Sequence, residues 1–239
     1  MKMNVFDIGI ILLLIMSFII GFKNGVIKEL VALLGIILVF IISYLLKGYL
    51  GDIFCIFFPF FRFTGKIEGL TTMNIVLYQM IAFLVIFIAL LGLYATLLKI
   101  SKKLQKLVNL TIILWLPSKI LGGIVSIIKG YIVIFAVFIV LMIPLGNQEV
   151  FYNSTVVNTM LYHTPILSST AKPFTDAVTE IYDLGEAISK DQISKNDANL
   201  KALDIILKYN ITNKATIEKL INAKKLENIN NIENVLNNY

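Results

Sequence analysis

Pro117-Ser-Lys-Ile-Leu-Gly-Gly-Ile-Val-Ser-Ile-Ile-Lys-Gly130 sets Gly122, Ser126 and Gly130 four residues apart in a segment otherwise dominated by Ile, Leu and Val. On a helix, positions i, i+4 and i+8 share one face, so these residues form a stripe with almost no side-chain bulk. In lipid such a stripe lets a second backbone approach closely, where packing and not water exclusion drives association. The apolar run continues through residues 131–145, long enough in all to cross a bilayer. The competing reading is a core helix with scattered glycines. The rest of the chain favours the first.

With 239 residues, 58% of them hydrophobic and 15% charged, and a mean hydropathy of +0.85, the chain is too apolar for an ordinary soluble domain. The formal charge of +6 is unevenly placed: residues 1–145 hold twelve basic and four acidic side chains, residues 146–239 nine and eleven. Positive charge beside membrane segments points to topology and anionic lipid before nucleic acid. Every basic residue except Arg62 is Lys. Cys55 is the one cysteine, so no disulfide or cysteine-based metal site is expected within one chain, and a lone histidine, His163, argues against a multi-His centre. No metal, cofactor or nucleic-acid partner is expected.

The expected fold class is an all-α integral membrane protein with four transmembrane helices and a small helical C-terminal region. Hydropathy places the spans at about 6–22, 26–46, 75–98 and 121–145. The first four residues are too short and too weakly basic for a signal-peptide n-region. Asp7 falls in the first turn of the first span, where a carboxylate meets the positive end of the helix dipole. Lys28 and Glu29 open the second span, and Lys129 lies in the fourth. A charge inside a span is costly unless it faces protein, water or a counter-ion. Snorkelling of Glu29 to the interface and a structural pairing, with Lys129 as partner, are both open. Gly21 and Gly25 make a second four-residue small pair at the first hairpin, with Gly35 further on.

Residues 48–74 carry Phe54, Phe57, Phe58, Phe60, Phe61 and Phe63 around Pro59 and Arg62, which suits the membrane interface. Residues 99–119 read as a basic amphipathic helix on the inner leaflet: Lys99, Lys102, Lys103 and Lys106 supply charge, and Trp115 sits at the re-entry point. By the positive-inside rule the first and third connections are cytoplasmic, which puts both termini outside. Residues 146–173, rich in Asn, Ser and Thr, are expected to form a linker, followed over 174–239 by short helices near 175–190, 197–210, 214–225 and 228–237.

Asp7, then Gly21-Phe-Lys-Asn-Gly25-Val-Ile-Lys-Glu29, then Gly35, resembles the opening of the CvpA family, the bacterial colicin V production proteins. Leu114-Trp115-Leu116 followed by Lys119 and the stripe Gly122, Ser126, Lys129, Gly130 is similar to the family's second motif. This chain departs from it with Ser118 where Asp is usual, Lys119 and Lys129 for Arg, and Ser126 for Gly. All but Ser118 keep charge or smallness. The resemblance covers about residues 4–145 and implies a multi-pass cytoplasmic-membrane protein associated with peptide-toxin production or export and with envelope behaviour. Some relatives carry an extracytoplasmic serine protease after the fourth span; here the tail offers no Gly-x-Ser-x-Gly, and no enzyme is expected.

Two functions remain on this reading. One is a non-enzymatic scaffold or accessory factor with a protein partner or a second copy of itself in the lipid membrane. The other is a small oligomeric transporter or channel using Asp7, Glu29 and Lys129.

Overall fold

A computed structural model of the chain describes residues 4–105, 115–145, 151 and 153–239. Four long helices, α1 (Val5–Asn24), α2 (Val26–Phe57), α3 (Met73–Gln105) and α4 (Trp115–Leu145), are each long and apolar enough to cross a membrane. Among the described residues five shorter ones follow: α5 (Thr155–His163), α6 (Leu167–Ser189), α7 (Lys195–Lys208), α8 (Lys214–Asn222) and α9 (Ile232–Leu236).

Asn4 and Asp7 start α1 with a reciprocal capping box, each side chain bonded to the other's backbone N–H at 3.0 Å. Gly25 alone joins α1 to α2, at φ +81° and ψ 162°, a conformation open to glycine and strained for other residues. The one-residue connection does not place α1 against α2. α4 wedges between them, packing along both, while α3 packs along α2 and also touches α4. At the junction of α2, α3 and α4 the rings of Phe40, Phe83, Phe87 and Phe135 meet, with centroids 5.4–6.2 Å apart. On α1, Ile8, Leu12, Leu13, Ile15, Met16, Ile19 and Ile20 face outward. An apolar face of that extent is expected of a helix bathed in lipid.

The helices outrun the spans that hydropathy suggests. α2 has 32 residues, about 48 Å at 1.5 Å per residue, against a hydrocarbon core of about 30 Å. It continues past 46, where Gly51 packs under the Gln79 side chain of α3. It stops at Phe57, where Pro59 disfavours helix at the preceding residue and Phe58 turns extended. α3 likewise runs through 99–105 without a break.

The linker expected over 146–173 is helical in its described later part, which corrects that reading. Ser154 caps α5 by accepting from Val157 N, and α6 begins at Leu167 and passes through Pro173. The Ser and Thr residues that suggested a loop instead bond back to carbonyls of the helices or their caps: Thr159 to Thr155, Ser168 to Thr164, Thr170 to Ile166. Together α5–α9 close over the end of the bundle where α1 and α3 begin and α2 and α4 end.

Candidate functional site

One turn into α2, Glu29 is 1% exposed. Its Oε2 lies 2.5 Å from Lys129 Nζ of α4, and its Oε1 accepts from Asn24 Nδ2 at 2.6 Å. Lys129 lies well along α4, but helical side chains lean toward the N-terminus of their helix, which brings the ammonium back toward the start of α2. Two ions taken out of water persist only if each finds an opposite charge and its remaining oxygens find donors. Lys129 supplies the charge and Asn24 the second donor. Lys28, next in sequence to Glu29, is exposed.

The same face of α4 carries the small residues. A Cβ on Gly21 would strike the Gly122 backbone and Ser126 Cβ, and one on Gly122 would come within 2.7 Å of Gly25 C. A Cβ on Gly130 would strike Ser17 Oγ, and one on Gly123 the Phe18 ring. The α1–α4 interface is therefore backbone against backbone where Gly21 and Gly25 meet Gly122, and α4 backbone against α1 side chains at Gly123 and Gly130. Gly35 plays the corresponding part between α2 and α3, where the Tyr94 ring covers it and Tyr94 donates to Val31 O at 2.8 Å. Ser118 Oγ accepts from Val26 N at 3.4 Å and so serves the first turn of α2, whose Gly25 cap has no side chain.

Asp7 acts at the opposite end. Besides closing the α1 capping box, its Oδ1 accepts from Ser154 Oγ at 2.5 Å and from Val156 N at 3.1 Å. Ser154 is itself the N-cap of α5. One buried carboxylate thus sits at two helix N-termini, where two positive dipole ends favour its charge.

Near the same end a second carboxylate joins bundle to tail. Asp52 of α2 accepts from Gln79 Nε2 of α3 at 2.9 Å, and from Thr212 and Thr216 Oγ1 of the tail at 3.2 and 2.6 Å. Asn199 of α7 bonds Thr72 N and Oγ1 at 3.1 Å and Gly69 O at 2.8 Å. A Cβ on Gly185 would strike Lys66 O. Tyr182 of α6 donates to Ile143 O at 2.7 Å, and burial pushes its phenol up to about 12.

Of the residues singled out in the sequence, Gly21, Gly25, Gly122, Ser126, Gly130, Glu29 and Lys129 come together in one α1–α2–α4 seam, with Gly35 in the next seam and Asp7 at the far end. Lys106, and the side chains of Lys99, Lys102, Lys103 and Trp115, lie outside the described residues. Ser17 precedes Gly21 and Gly25 at the same four-residue spacing and extends their stripe to Gly130. Asn24, Asp52, Gln79 and Ser154 carried no periodic signal; their roles depend on partners 5 to 164 positions away. Among the described residues no three His, Cys, Asp or Glu side chains gather as a metal-binding group.

No curated protein and no solved structure gives a significant match to the chain. Residues 6–165 match the sequence model of the family described as colicin V production protein. That match extends 20 residues past 145, the end of the resemblance read from the motifs, and takes in α5. Asp7 and Ser154, the two halves of the shared cap, both fall inside the matched range. With two thirds of its length covered and four candidate spans, the chain is a multi-pass membrane protein that belongs to the colicin V production protein (CvpA) family.

Proposed function

We propose that this protein is a non-enzymatic scaffold in colicin V-type toxin production, presenting its α5–α9 tail to a protein partner on the extracytoplasmic face of the cytoplasmic membrane. The observation that carries this reading is the Glu29–Lys129–Asn24 contact: the most deeply buried charge of that seam, Glu29, is committed to bracing helices. Asp7 and Asp52 are likewise committed to joining bundle and tail. A tail attached through buried polar contacts keeps a fixed orientation relative to the bilayer, which a docking platform requires. The lysine distribution supports an extracytoplasmic tail, since the hairpin end carries Lys23, Lys28 and Lys119.

The test combines a charge swap with a flux assay. Glu29→Lys should abolish toxin secretion from a producing strain, and Glu29→Lys/Lys129→Glu should restore it, while proteoliposomes of the wild type show no Glu29-dependent flux of ions or peptide. Flux that disappears in Glu29→Gln would overturn the scaffold reading in favour of transport. For the orientation, a reporter cysteine at Asp191 in a Cys55→Ser background should react with an impermeant maleimide on intact cells. Reaction only after lysis would place the tail inside.

A further inference from the structure

Between α2 and α3 the chain leaves helical structure over Phe58–Thr64, and this loop is neither random nor covered. Buried Asn74 holds the backbone of Phe61 from both sides, accepting from its N–H at 2.7 Å and donating to its carbonyl at 3.0 Å. Tyr78 donates to Pro59 O at 2.5 Å, and Lys225 of the tail donates to Phe58 O at 3.0 Å. So fixed, the loop leaves Phe57, Phe58 and Phe61 half or more exposed. Behind them lies a cleft of about 350 Å³, walled by Phe54, Phe58, Phe61, Tyr78, Ile81 and Val85. It is almost wholly apolar and sits on the flank of α3, where Val85 and Ile88 are exposed. Next in sequence to Phe61 is Arg62, the chain's single arginine, which is exposed. Among the described residues no carboxylate forms an ion pair with Arg62 or with exposed Lys66 nearby.

We propose that this cleft and Arg62 form a site for one anionic phospholipid from the tail-side leaflet, an acyl chain lying in the cleft and the phosphate on the guanidinium. An apolar cleft that opens sideways on a spanning helix meets hydrocarbon chains, and interfacial aromatics sit at the depth where chain gives way to headgroup. An exposed guanidinium at that depth, with no ion-pair partner among the described residues, matches a phosphate, which it binds bidentately. The backbone clamps by Asn74 and Tyr78 fix the loop beforehand, so that little ordering is left for binding to accomplish. The site adds a lipid preference to the protein and is independent of the scaffold reading.

The experiment uses the full chain in nanodiscs of equal phosphatidylglycerol and phosphatidylcholine, released for native mass spectrometry. The wild type should retain phosphatidylglycerol over phosphatidylcholine by about fivefold, the factor expected of one cation near the surface. Arg62→Gln should abolish that preference, while the exposed tail change Lys219→Gln should leave it intact. Val85→Trp, which fills the cleft at a half-exposed position, should strip retained lipid of either headgroup. Equal retention of the two lipids by the wild type, or a preference that survives Arg62→Gln, would overturn the proposal. So would a protein dimer that Val85→Trp dissociates, since the cleft would then hold a second copy.

Discussion

Glu29 is the residue on which the interior electrostatics turn. Removing one partner of a buried ion pair leaves the other charge uncompensated, at a cost of about 3–5 kcal/mol. Glu29→Ala should lower stability by that order, measured by reversible unfolding in SDS, and Lys129→Ala by less because its side chain is 20% exposed against 2% for Glu29. Replacing both by apolar residues should recover most of the loss, since the pair's own net contribution is small. Tyr182 gives a pH signature outside the bundle. Its phenol titrates at about 12 when folded and near 10 when unfolded. Above pH 10 the unfolded chain therefore holds fewer protons, so stability falls between about pH 10 and 12. Tyr182→Phe should remove that part of the alkaline loss in a pH series of thermal melts.

At the scale of elements, the α1–α4 contact separates structural glycines from incidental ones. Gly21→Val should break the interface, because the new side chain would meet Gly122 backbone and Ser126, neither of which can swing away. Gly9→Ala makes the control: nothing lies within 4 Å of its Cβ, and alanine should stabilise the helix by up to about 1 kcal/mol. Cysteine crosslinking between α1 and α4 should be lost in the first variant and unchanged in the second. Asp7→Ala removes acceptors from two helix starts, each worth about 1 kcal/mol. Hydrogen exchange should rise together at Val5–Asn24's first turn and across Thr155–His163, with the middle of α4 unaffected. Exchange confined to α1 would mean that the contact with Ser154 carries no weight.

For the molecule as a whole, what matters is that bundle and tail form one body. Asp52 binds Gln79 on one side and Thr212 and Thr216 on the other, and Asn199 holds the turn before α3 through Thr72 and Gly69. Asp52→Ala with Asn199→Ala should free α7 and α8 from the bundle while the four long helices stay associated. Limited proteolysis would show it as tail fragments released from a protease-resistant core. If the variant resists proteolysis as the wild type does, the apolar contacts of α6 suffice to hold the tail.

Four spans, the small stripe Gly122-Ser126-Gly130 and the lysine asymmetry were legible because each is a periodic or compositional signal along the chain. Hydropathy cannot show how far a helix runs into water, so the extension of α2 to Phe57 was not legible, nor that the helix read from residue 99 onward continues α3 without a break to Gln105. Nor was α5, since Ser and Thr encode loop and cap alike, and only the carboxylate of Asp7, 147 residues from Ser154, selects the cap. The sequence by itself determined that this protein lives in a membrane and which faces of its helices are smooth. Only the tertiary structure decided that α4 lies between α1 and α2, that Glu29 meets Lys129 across 100 residues, and that the tail closes over the bundle. The physical reason is that burial and small-residue spacing are properties of one helix, whereas the partner of a buried charge is a property of the whole chain's path.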